Sequence, residues 1–147
     1  MARGQAWVLD LGSGASAAIG ERELVLLLYD AAAFRVPYAP PYANRVLFWE
    51  ERALPVLDLP VRAGTSSVGA DTKFVAVVGY LRDGDASLQY GVLPLASPPV
   101  RAEVDDEQGC ELPEPLERWR PLAVSCFRAQ GVAIPVLDLG RAFGPSA

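Results

Sequence analysis

The chain has 147 residues, 51% of them hydrophobic, enough to fill one compact core or two small lobes that share one. Its net charge of −5 would repel phosphate backbones and argues against nucleic acid as a partner. Histidine is absent, which removes the commonest general base, metal ligand and phosphorelay acceptor and points away from an enzyme.

Taken in order, Ala6 to Leu11 reads as a first strand, stopped at Gly12-Ser13-Gly14, where two glycines permit a tight turn. Ala15 to Ile19 pairs back against it. After the solvated Glu21-Arg22-Glu23 comes Leu24 to Tyr29, six apolar residues that read as a strand, because the alanines beyond them run into prolines that no helix continues through. Phe34 to Tyr42, with Pro37, Pro40 and Pro41, is an extended connector.

Arg45 to Pro60 is the organising stretch. Val46 to Trp49 and Ala53 to Leu57 form a buried β-hairpin, with Glu50, Glu51 and Arg52 as its exposed tip. Asp58 is placed to cap a helical turn that begins Leu59-Pro60. Gly64 to Asp71 is a small, polar loop between two halves, which sets their junction near 60–72.

Lys73 to Leu81 and Leu88 to Leu95 make a second hairpin about Arg82-Asp83-Gly84-Asp85-Ala86, and Val100 to Val104 is a further strand. Asp105 to Arg120 is an acidic surface excursion from which Trp119 folds back onto the core. Ala123 to Phe127, a turn over Arg128-Ala129-Gln130-Gly131, and Val132 to Leu139 then repeat the first hairpin. Pro55 to Leu59 and Pro135 to Leu139 both read Pro-Val-Leu-Asp-Leu, 80 residues apart, with Asp138 as the second cap. The pattern is two related half-domains of about ten short strands, an all-β sandwich or barrel pair.

The exclusions are broad. The longest apolar run falls far below the roughly 20 residues that span a bilayer, and no signal-peptide pattern opens the chain, so a cytoplasmic protein without membrane insertion is expected. Cys110 and Cys126 lack metal-ligand spacing and read as two unrelated reduced thiols. Ser13 has no base to activate it, Glu50 and Glu51 would point apart into water, and no phosphate loop is present. An aspartate after an apolar strand suits a phospho-acceptor, but the acidic cluster and alternating helices of a receiver domain are missing. No catalytic, cofactor-binding or metal-binding residue is assigned.

Arg35 to Val46, followed by the hairpin and Leu54-Pro55-Val56-Leu57-Asp58-Leu59, resembles the CheW-like family of bacterial chemotaxis coupling proteins. The likeness runs without a gap from about Trp7 to Leu59, continues more loosely through Thr72 to Pro94, including Gly91, and returns in the final hairpin. It implies a single domain, 1–147, of two intertwined five-stranded SH3-like barrels on a shared apolar core, with few short helices. It further implies a non-enzymatic adaptor that couples a chemoreceptor tip to the regulatory domain of a histidine kinase, at membrane-bound receptor arrays.

The chain departs from that family at informative places. Where typical members carry Asn-Leu-Arg-Gly at the first hairpin turn, this one has Phe48-Trp49-Glu50-Glu51. Leu26 stands where an acidic residue is frequent, and Leu95 where an aspartate commonly follows the seventh strand. Each exchange alters charge at a position expected to face a partner or the lobe junction, so the partner surface is expected to differ from the usual one. The expected contact residues are Leu26, Tyr38, Tyr42, Trp49, Glu50, Glu51 and Leu95. The alternative is a small-ligand-binding β-barrel with its site between the lobes; it would need convergent polar residues on inward strands that are almost uniformly apolar.

Overall fold

A computed structural model describes residues 3–12, 14–64, 73–81 and 87–144. Ser13, the turn at 82–86 and most of the expected loop between the halves lie outside the described residues. In chain order the strands are β1 (Arg3–Gly12), β2 (Ala15–Gly20), β3 (Leu24–Tyr29), β4 (Phe34–Arg35), β5 (Arg45–Trp49), β6 (Arg52–Val56), β7 (Phe74–Leu81), β8 (Leu88–Leu95), β9 (Val100–Asp105), β10 (Ala123–Ala129) and β11 (Val132–Leu137). Two one-turn helices follow the related hairpins, α1 (Leu59–Arg62) and α2 (Leu139–Ala142).

The strands form two sheets, one ordered β10-β11-β2-β1-β9 and the other β3-β7-β8-β6-β5-β4. Each contains one parallel pairing, β6 with β8 and β11 with β2; the remaining pairings are antiparallel. The chain therefore passes between sheets after Gly20 and again after Leu95. The stretch 60–72, expected to join the lobes, instead lies between β6 and β7 of one sheet. Long-range parallel pairing decides sheet membership here, and a polar loop carries no signal of it.

Burial follows the alternation of the strands. Along β7, Ala76, Val78 and Tyr80 face a core shared by both sheets, while Val75 and Val77 face a second cluster with Leu47, Leu54, Val56 and Val92. Along β1, Leu9 and Leu11 point into the shared core, and Ala6 and Val8 into a third cluster with Phe127 and Ile134. Strands covered on both faces read as continuous apolar runs. The shared core also takes Leu57, Leu59, Leu137, Leu139 and Trp119, and no charged or polar side chain is buried among the described residues.

The repeat holds at the level of single bonds. Asp58 Oδ1 accepts from the N–H of Val61 at 3.3 Å and Asp138 Oδ1 from that of Arg141 at 3.2 Å, the two expected caps. The backbone N–H of Asp58 donates to the Tyr42 carbonyl and that of Asp138 to the Leu122 carbonyl, both at 2.8 Å. Residues 42 and 122 are again 80 apart. The second hairpin turns on Gln130-Gly131 alone, because Arg128 and Ala129 remain paired in β10.

Candidate functional site

The two hairpins share one turn geometry. Trp49 pairs with Arg52, and Ala129 with Val132, so each turn has two residues. Both residues of each turn have positive φ: 47° and 64° at Glu50 and Glu51, 52° and 79° at Gln130 and Gly131. This is the backbone that matches strand twist in a hairpin, and it favours Asn-Gly. Gln130-Gly131 approaches that preference; Glu50-Glu51 opposes it at both positions. A left-handed non-glycine residue costs roughly 1–2 kcal/mol, and the two adjacent carboxylates are exposed.

The β5–β6 hairpin is covered on one face only, which corrects the expectation of a buried hairpin. Leu47, Leu54 and Val56 point inward. The opposite face carries Val46, Phe48, Ala53 and Pro55, continued by Phe34 of β4 opposite Val46. Phe48 is 62% exposed and Phe34 55%, with ring centroids 5.8 Å apart. In the other hairpin the counterparts of Val46 and Pro55, Cys126 opposite Pro135, are buried, whereas the counterpart of Phe48, Arg128, is exposed. The difference lies in the preceding connector. The segment before β10 contains a nine-residue 3₁₀ stretch, Glu114–Leu122, which packs against β10 and β11, whereas the one before β5 has only the three-residue turn Pro41–Ala43. A short connector leaves the apolar face of β4–β5–β6 bare.

The expected contact residues divide three ways. Glu50 and Glu51 are exposed at the tip, and Tyr38 is wholly exposed on the loop at the other end of β5, with φ at 65°. Trp49 turns inward and meets Tyr90 edge-on at 5.7 Å, and the Arg52 guanidinium lies 5.2 Å from the centre of the same Tyr90 ring. Tyr42 packs against the shared core under the Arg62 guanidinium, 4.5 Å from its ring centre. Leu26 faces the β5–β6 cluster, so the outward residues of β3 are Val25, Leu27 and Tyr29. Leu95 is completely buried at the lobe junction, with no surface to offer a partner.

Phe34 and Phe48 were not singled out from sequence. The signal was present, because apolar residues occupy both alternating sets of the hairpin, but that pattern fits two covered faces as well as one bare face.

The arrangement defines an all-β protein of two lobes on a shared apolar core, with an apolar face and an acidic tip on one lobe. Its fold is that of CheW-like proteins. The structure is similar to that of the scaffolding protein TtCheW from Thermoanaerobacter tengcongensis, with a TM-score of 0.75 and 15% identity, covering 97% of this chain and 93% of that one. No protein-family model matches the chain, and no curated protein matches it in sequence. Among the described residues no helix is long and apolar enough to cross a membrane.

Proposed function

We propose that the chain is a non-enzymatic adaptor of a bacterial chemosensory-type signalling system, coupling a receptor tip to the regulatory domain of a histidine kinase or to a related partner. The observation that carries this reading is the bare outer face of β4–β5–β6, apolar at Phe34, Val46, Phe48, Ala53 and Pro55; in the other lobe the counterparts of Val46 and Pro55 are buried and the counterpart of Phe48 is the charged Arg128. A contiguous exposed apolar patch beside a charged rim has the make-up of a protein-docking surface, with its aromatics as anchors. The likeness in fold to a scaffolding protein supports the same reading. A ligand site between the lobes is disfavoured, since apolar side chains fill that junction.

The acidic tip sets the partner's character. Where an arginine would offer a planar fork of donors, Glu50 only accepts, so the matching surface is basic. Calorimetric titration with a receptor-tip fragment and with a kinase regulatory domain tests the proposal. The Phe48→Ser variant should lose at least about tenfold in affinity for whichever binds, in line with removal of an aromatic anchor. Unchanged affinity would remove this face from the interface.

A further inference from the structure

The segment after β9 runs back along β10 and draws together the two edges of the five-stranded sheet. Gln108 Nε2 donates to the Arg128 carbonyl at 3.1 Å, Gly109 forms an antiparallel bridge with Phe127, and the Cys110 N–H donates to the Cys126 carbonyl at 3.0 Å. The two cysteines are thus directly opposed across a seam, and their sulfur atoms lie 3.1 Å apart. The expectation of two unrelated thiols is corrected by this register. Opposed residues of an antiparallel pair hold their Cα atoms at a separation that a disulfide also spans.

We propose that Cys110 and Cys126 form an oxidative modification site, closing reversibly into a disulfide that fastens the seam of this lobe. Access assigns the roles. Both cysteines line an open cleft of about 290 Å³ with Glu111, Arg120 and Ser125, but Cys110 is partly exposed where Cys126 is buried, so a small hydroperoxide reaches Cys110 first. Cys126 is buried, and burial together with its contact with Cys110 pushes its thiol up to about 11. It stays protonated until it attacks.

The chemistry balances with hydrogen peroxide as oxidant. The Cys110 thiolate displaces hydroxide from the peroxide and becomes a sulfenic acid. The Cys126 sulfur then attacks the Cys110 sulfur; the S–O bond breaks, the S–S bond forms, and the Cys126 proton leaves with the hydroxyl as water. The two thiols are oxidised by two electrons in all. A thiol reductant reverses the step by exchange. The site lies on the lobe opposite the proposed docking face, so it stands independently of that reading.

The test uses the full chain, reduced and then treated with hydrogen peroxide, blocked with N-ethylmaleimide under denaturing conditions and weighed intact. Expected are loss of two hydrogens with no maleimide added, one linked peptide pair containing both cysteines, and reversal by dithiothreitol. The thermal midpoint should rise by about 5–10 °C, the scale for closing a loop of this length in a domain of this size. In Cys126→Ala, Cys110 should stop at a sulfenic acid that dimedone traps; in Cys110→Ser, Cys126 should keep its maleimide. Retention of both free thiols in the treated wild type, sulfinic acid at Cys110 without linkage, or linkage only between chains would overturn the proposal.

Discussion

Arg62, the last residue of α1, donates from Nη2 to the carbonyl oxygen of Gly144 beyond α2 at 3.1 Å. The same guanidinium reaches the carbonyls of Arg141 and Ala142, both at 3.3 Å, while its face lies over Tyr42. One side chain of the first repeat thus satisfies the open carbonyls at the end of the second helix. Its partner position in the repeat is Ala142, so the clasp is built on one side only.

Arg62→Ala should therefore destabilise the whole chain by about 2 kcal/mol, the scale for bonds from a charged donor to carbonyls that lose their partner. Arg62→Lys should recover less than half, because an ammonium supplies no planar fork. Urea unfolding measures both.

The strain at Glu50-Glu51 makes the opposite prediction. Replacing the pair by Asn-Gly should stabilise the fold by about 1–2 kcal/mol, since both residues then match the left-handed backbone already present. Glu50→Arg with Glu51→Gly should relax the second position only and gain affinity for a standard receptor tip or kinase domain. That gain should shrink in high salt.

Gly91 lies beneath the Phe143 ring, which stacks on Tyr80 with centroids 5.2 Å apart, and a Cβ at Gly91 would collide with that ring. Gly91→Ala should cost about 1–3 kcal/mol, the usual range for overpacking. Phe143→Leu in the same chain should restore part of it, giving a non-additive double-mutant cycle.

Glu23 supplies the pH prediction. Burial raises its carboxyl above the ordinary value of 4.5, against the lowering effect of the bond it accepts from the Gly20 N–H at 2.7 Å; the nearby Asp138 adds to the rise. The native state then holds this proton to higher pH than the unfolded chain. Stability from this group is complete below 4.5 and falls as pH climbs through the raised value. Glu23→Gln keeps an acceptor for Gly20 and should remove that fall, seen as a flatter plot of urea midpoint against pH.

Most of the architecture was legible from local pattern. Leu24 to Tyr29 was short and flanked by breakers, and the matched Pro-Val-Leu-Asp-Leu segments gave both hairpins and both caps. What stayed hidden depended on distant chain. Whether Pro55 is bare and Pro135 covered is decided by the lengths of the connectors before each hairpin, and sheet membership by two parallel pairings far apart in sequence. The thiol contact was hidden for the same reason, since Cys110 meets Cys126 only once the sheet edges are drawn together.

The docking face is tested most directly by a photocrosslinking residue, p-benzoylphenylalanine, placed at Phe48 in the native host. Arg128, the equivalent exposed position of the second hairpin, carries it in a parallel strain. The account predicts an adduct at Phe48 that mass spectrometry identifies as a receptor cytoplasmic tip or a histidine kinase regulatory domain, and none of that identity at Arg128. No adduct at Phe48, or the same receptor or kinase captured equally from both positions, would contradict it.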